Sequence, residues 1–168
     1  MQVRRATPAD ARAIAEVHVA SWQSAYRGLF PDSVLDGLSV AEREQMWSAR
    51  LAEQAAIWVA GSHGQVSGFV YACPSRDADA PPPAFGEIAA LYVHPAAWGT
   101  GCGRALCQTA LAHFAATPAQ SVIVWALSGN RSAHHFYQSQ GFVVDDGHRD
   151  RTLFDITQTE VRFRHNLR

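Results

Sequence analysis

The run Leu91-Tyr92-Val93-His94-Pro95-Ala96-Ala97-Trp98-Gly99-Thr100-Gly101-Cys102-Gly103-Arg104-Ala105-Leu106 carries the strongest chemical signal in the chain. An apolar stretch stops at His94-Pro95, glycines then alternate at 99, 101 and 103, and a helical pattern begins. Such a loop aims successive backbone N–H groups at one point, and a helix start adds about half a positive charge there. Glycine lets an anion approach the main chain where a Cβ would intrude. The chemistry indicated is phosphate binding. All 14 cationic side chains are arginine, and the sequence contains no lysine. Backbone amides, with Arg104 beside them, must therefore supply most of the anion binding. A P-loop and a Schiff-base lysine are excluded for the same reason. The strict alternation also lacks the third glycine of a dinucleotide fingerprint.

A second run, from Ser128 to Phe142, adds a ligand-binding face. Asn130 stands where a helix begins, Tyr137 falls two turns later on the same face, and Ala133 keeps the surface between them low. An extended ligand can lie along that face. The histidines offer no metal site. His134 and His135 are adjacent and point in different directions, and His18, His94, His113 and His148 lack ligand spacing.

These residues need elements to hold them. A strand is expected over 2–6, followed by a helix opened by Thr7-Pro8-Ala9-Asp10 and ending near Gly28. Ser39-Val40-Ala41-Glu42 reads as a capping box for a helix through Leu51. Strands 56–60 and 66–73 form a hairpin around 61–64, and 75–83 is a loop. A strand over 87–93 precedes the glycine loop, and a helix covers 101–115. Residues 121–127 are almost all apolar and β-branched, as in a strand buried on both faces. A helix over 130–140 is closed by Gly141, and two strands follow, 142–148 and 151–164. The order β-α-α-β-β-β-α-β-α-β-β is mixed α/β. The unit from Glu87 to Leu127 requires a right-handed crossover and hence a parallel pair.

The two runs together resemble the GCN5-related N-acetyltransferase (GNAT) superfamily. Its acetyl-CoA loop, Arg/Gln-x-x-Gly-x-Gly/Ala, is matched by Trp98-Gly99-Thr100-Gly101-Cys102-Gly103, with Trp in the first position. Its later motif, Asn-x-x-Ala-x-x-Phe-Tyr-x-x-x-Gly-Phe, is matched in full from Asn130 to Phe142. The segment from His18 to Pro31 is similar to a bacterial branch of that superfamily. The resemblance implies a mixed sheet whose central parallel strands, 87–93 and 121–127, splay apart, with helices on both faces. It implies acetyl-CoA as cosubstrate, with pantetheine along the backbone of Leu91, Tyr92 and Val93 and the pyrophosphate on residues 98–104. Asn130, Ala133 and Tyr137 would face the pantetheine and the thioester.

For catalysis the resemblance implies direct acetyl transfer to an amine. Glu87 is the candidate base, its other reading being an edge-of-strand carboxylate in solvent or in a salt bridge. Tyr137 is the candidate acid for the departing thiolate. Cys102 reads as a small packing residue rather than a nucleophile. The acceptor, a small-molecule or protein amine, is expected near Trp22, Tyr26 and Asp32 and near a last loop over 145–151. The family's usual homodimer is expected as well. The other reading is a non-catalytic acyl-CoA-binding module, which the intact Asn130 and Tyr137 disfavour.

Length and composition agree with one domain over 1–168, large enough for a core. A formal net charge of −1 argues against a nucleic-acid binder. Cys73, Cys102 and Cys107 form no disulfide pattern, and no segment is long and apolar enough to span a bilayer. The start of the chain does not read as a signal peptide, and a cytoplasmic location is expected.

Overall fold

A computed structural model of the chain describes residues 1–167. The elements are β1 (Gln2–Arg5), α1 (Ala11–Ala25), α2 (Asp32–Asp36), α3 (Val40–Ala52), β2 (Ala56–Ser62), β3 (Gln65–Pro74), β4 (Phe85–Val93), α4 (Cys102–Ala115), β5 (Ser121–Leu127), α5 (Arg131–Ser139), β6 (Val143–Leu153) and β7 (Ile156–Asn166). The expected order holds, with α2 added. That helix is too short for a periodic signal and is fastened by one fully buried side chain, Leu35. Local chemistry explains the starts that were legible. Asp10 accepts from the N–H and hydroxyl of Thr7 (2.7 and 3.0 Å), and Ser39 Oγ accepts from the N–H of Glu42 at 3.2 Å.

The strands form one sheet in the order β1-β2-β3-β4-β5-β7-β6. Each neighbouring pair is antiparallel except β4 and β5, which run parallel across the α4 crossover. Helices cover both faces. On one, Ile14 and Trp47 of α1 and α3 pack on Ile57, Val59 and Phe69. On the other, Leu106 of α4 and Tyr137 of α5 pack with Val70, Ile88, Val124 and Phe163.

The site owes its existence to one irregularity. In β4, Ile88 faces Ala72 and Ala90 faces Tyr71, so Ala89 is an extra residue, a bulge. Beyond it β4 bends. Pairing with β5 runs from Phe85 opposite Ser121 to Ile88 opposite Val124 and stops there, although both strands continue. The splay implied by the family resemblance begins at that point.

The last hairpin corrects one expectation. Residues 145–151 are not a loop but part of β6, and the chain reverses at Phe154-Asp155. Both turn residues have positive φ (54° and 61°), as a two-residue hairpin of this twist requires. Gly147 lies within an irregularity of β6 between Val144 and His148. It leaves room for Arg162, since a Cβ there would lie 2.6 Å from Arg162 Nε.

Candidate active site

The splay opens into a cavity of about 570 Å³. Leu91, Tyr92 and Val93 line it from β4, and Asn130, Ala133 and Tyr137 from the start and face of α5. Trp98, Gly99, Gly101, Cys102, Gly103 and Arg104 close one end, and Tyr26 reaches it from α1. Of the residues expected in the site, Thr100, Trp22, Asp32, Glu87 and the segment 145–151 stand outside this lining.

The glycine loop gathers unbonded backbone N–H groups at the start of α4. Gly99 and Gly101 have φ of +76° and +86°, a region that residues with a Cβ enter at a cost. The first helical bond of α4 is donated by Ala105 to Gly101 (3.0 Å), so the N–H groups of Cys102, Gly103 and Arg104 precede the hydrogen-bonded ladder. Trp98 holds the loop to β4, donating its indole N–H to the Val93 carbonyl at 2.8 Å. Its ring is half exposed at the cavity rim. Cys102 is buried, and desolvation raises its thiol pKa. Burial therefore outweighs the helix start, which alone would favour a thiolate.

Asn130 caps α5. Its Oδ1 accepts from the N–H of Ala133 at 3.1 Å, and the residue lines the cavity. Tyr137 is buried against Phe136, Phe142 and Phe163 while reaching the cavity. Desolvation raises its pKa well above the ordinary phenol value, with smaller contributions from Cys107 and Tyr92. The hydroxyl therefore keeps its proton.

Glu87 lies deep in the sheet, 1% exposed. Its side chain points to the α1–α3 face, the side opposite Ile88. Arg76 binds it through its backbone N–H (3.2 Å), through Nε (3.1 Å) and through a short Nη2 contact. The Arg76 side chain remains 59% exposed. Asp32 is a surface carboxylate paired with Arg27 at 3.0 Å and does not line the cavity.

Trp125 was not singled out in the sequence, yet it forms a cavity wall. Its Nε1 donates to Asp77 at 3.0 Å, and the Arg149 guanidinium lies 4.2 Å from its ring centroid. Behind it Arg162 binds Asp77, Asp79 and Asp145, which ties the β3–β4 loop to β6 and β7. An indole in an otherwise aliphatic strand was the only signal. Among the described residues no group of His, Cys, Asp and Glu is arranged to hold a metal, and no helix is long and apolar enough to cross a membrane.

Residues 18–142 match the model of the acetyltransferase (GNAT) family. The chain belongs to the GNAT acetyltransferase family. It is an acetyl-CoA-dependent N-acetyltransferase, as the loop and the Asn130–Tyr137 motif implied. The acetyltransferase is 32% identical to the uncharacterized N-acetyltransferase YuaI of Bacillus subtilis (strain 168) over 138 residues, 82% of this chain and 77% of that protein. Among solved structures it is similar to a GCN5-related N-acetyltransferase from Rhodopseudomonas palustris, with a TM-score of 0.79, 23% identity and coverage of 98% and 94% of the two chains. It is also similar to yncA, a putative acetyltransferase of Salmonella typhimurium solved with acetyl-CoA, with a TM-score of 0.73, 21% identity and coverage of 99% and 94%. At these identities the two structures establish the fold.

Proposed function

We propose that the enzyme transfers the acetyl group of acetyl-CoA directly to the primary amine of a small molecule or a protein. The observation that carries this reading is the junction of three features in one cavity: the end of β4–β5 pairing at Ile88 and Val124, the glycine loop, and Tyr137. The N–H groups of residues 102–104 and Arg104 receive the pyrophosphate. The backbone of Leu91 to Val93, freed from β5 by the splay, pairs with the pantetheine. A β4 N–H near Leu91 polarises the thioester carbonyl.

The amine reaches the thioester from the α1–α3 face, past Tyr26 and Trp125. Its nitrogen forms the new C–N bond, the C–S bond breaks, Tyr137 gives its proton to the departing sulfur, and the further proton that the new amide nitrogen sheds restores the phenol. Glu87 takes the proton of the ammonium, directly or through water. Arg76, the side chain that covers it, is largely exposed, so an arriving cation can take its place. The buried Cys102 thiol supports direct transfer over an acyl-cysteine route.

We place the enzyme in the cytoplasm, as its free cysteines favour, and as a homodimer. Val143 and Val144 on the edge strand β6 are 62% and 49% exposed, which supports contact between copies there. Thiol release from acetyl-CoA across a panel of amines tests the activity. Amine-dependent release is expected. Saturable CoA binding with no release for any amine would instead identify a binding module.

A further inference from the structure

Among the described residues, two buried side-chain polar atoms have no hydrogen-bond partner: His18 Nε2 and Trp22 Nε1. Their residues lie one turn apart on the same face of α1, with ring centroids 5.1 Å apart, and each is only 5% exposed. The protonation of His18 follows from its other nitrogen. Trp47 donates its indole N–H to His18 Nδ1 at 3.1 Å, and an indole nitrogen can only donate. Nδ1 therefore accepts, and the single ring proton sits on Nε2. Burial, with Arg43 and Arg151 nearby, lowers the His18 pKa to about 3, which agrees with a neutral ring. Both orphan atoms are thus N–H donors without an acceptor, an arrangement native interiors rarely leave unfilled.

The surroundings add positive charge. The Arg43 guanidinium lies 5.3 Å from the Trp22 ring centroid, and among the described residues no carboxylate pairs with it. Arg151 of β6 also acts on His18 and Tyr26, but its guanidinium is held by Glu160 at 3.2 Å, so Arg43 is the cation left for a ligand. The group also borders the acetyl cavity. Tyr92 stacks on His18 at 5.0 Å and Tyr26 meets Trp22 edge-on at 5.0 Å, and both tyrosines line that cavity.

We propose that the acetyl acceptor carries a carboxylate as well as its amine, and that His18 and Trp22 receive the carboxylate with Arg43 beside them. Two N–H donors one turn apart can each bind one oxygen of a carboxylate, and the Arg43 guanidinium balances its charge. The acceptor is then an amino acid or a close relative, held on the α1 side of Tyr92 with its amine toward the splay. Neither N–H reaches solvent. The carboxylate enters as the covering side chains move, namely the half-buried Arg43 and Phe154, which is 43% exposed at the β6–β7 turn with its ring 6.5 Å from Trp22. This inference rests on the amine-acceptor reading above and narrows it.

The test compares matched pairs of amines with and without the carboxylate, tyrosine against tyramine and lysine against cadaverine, in thiol release from acetyl-CoA. The acid of at least one pair is expected to exceed its partner in kcat/KM by roughly 10- to 100-fold. Arg43→Gln and Trp22→Phe are expected to reduce that ratio through the KM of the acid. In parallel, tryptophan fluorescence is titrated with N-acetyltyrosine and N-acetyltyramine in the presence of CoA. Saturation by the acid alone, weakened in Arg43→Gln, supports the site and does not depend on turnover. Equal or better use of the amines lacking a carboxylate overturns the proposal and leaves acetyl transfer standing. Binding of N-acetyltyrosine without turnover of any amine leaves the anion site standing and overturns acetyl transfer. Absence of saturable binding by the acid, or loss of both members of a pair alike in the variants, also overturns the proposal.

Discussion

Trp125 donates its indole N–H to Asp77 Oδ2 at 3.0 Å, so the strand that walls the cavity is fastened to the loop between β3 and β4. Arg162, from β7, holds the same carboxylate at 3.0 Å together with Asp79 and Asp145. The Arg162 side chain is 9% exposed, and those of Asp77 and Asp145 are 11% and 18% exposed. Arg162→Met leaves these carboxylates without their shared cation. Unfolding in urea should show a loss of about 3 kcal/mol, near the lower end for breaking a buried ion pair. The KM for the acceptor should rise while CoA affinity stays close to that of the parent, because the network lies behind Trp125 and away from the glycine loop.

Tyr137→Phe and Glu87→Gln separate the acid from the base. Removing the phenol should lower kcat by roughly 100-fold with CoA affinity retained. Because burial raises the Tyr137 pKa, kcat should show no descending limb near pH 10 from this group. Glu87→Gln should lower kcat by a comparable factor of roughly 100 if the carboxylate is the base. A preserved kcat with a lowered melting temperature would assign Glu87 to its pair with Arg76 alone.

Gly101 precedes α4 at φ +86°. A Cβ there meets no neighbouring atom, so the penalty of Gly101→Ala is conformational, about 1 kcal/mol or somewhat more. Relaxation of the loop should also turn the N–H groups of residues 102–104 away from their common point. Calorimetry should then show CoA binding weakened by roughly tenfold or more, with melting temperature little changed.

Asp10 gives a signed pH dependence. Hydrogen bonds from Arg4 are the largest cause holding its carboxyl down to about 2, with Thr7 contributing and burial opposing. The unfolded value is about 3.9. The stabilisation is therefore complete above the unfolded value and is lost as pH falls toward 2. Asp10→Asn should be less stable than the parent at pH 6, and the gap should narrow between pH 4 and pH 2 in acid unfolding followed by circular dichroism.

The sequence by itself determined what depends on local spacing. Gly99, Gly101 and the start of α4 gather free N–H groups because the φ angles and the unbonded amides belong to a few consecutive residues. The absence of lysine leaves the main chain and arginine as the donors an anion there would meet. Asn130 and Tyr137 share a face because helical geometry places residues seven apart together. Only the tertiary structure decided what depends on chain segments far apart in sequence. The bulge at Ala89 is visible only against its partners in β3, and it sets where β4 leaves β5. Pairing with Arg76, the wall at Trp125 and the turn at Phe154 arise from contacts across strands and loops, which no local period records. The two unpaired donors on α1 belong to the same class. His18 and Trp22 look like ordinary core residues in the sequence, and only the bond from Trp47, 29 positions beyond His18, shows which nitrogen of His18 carries the proton.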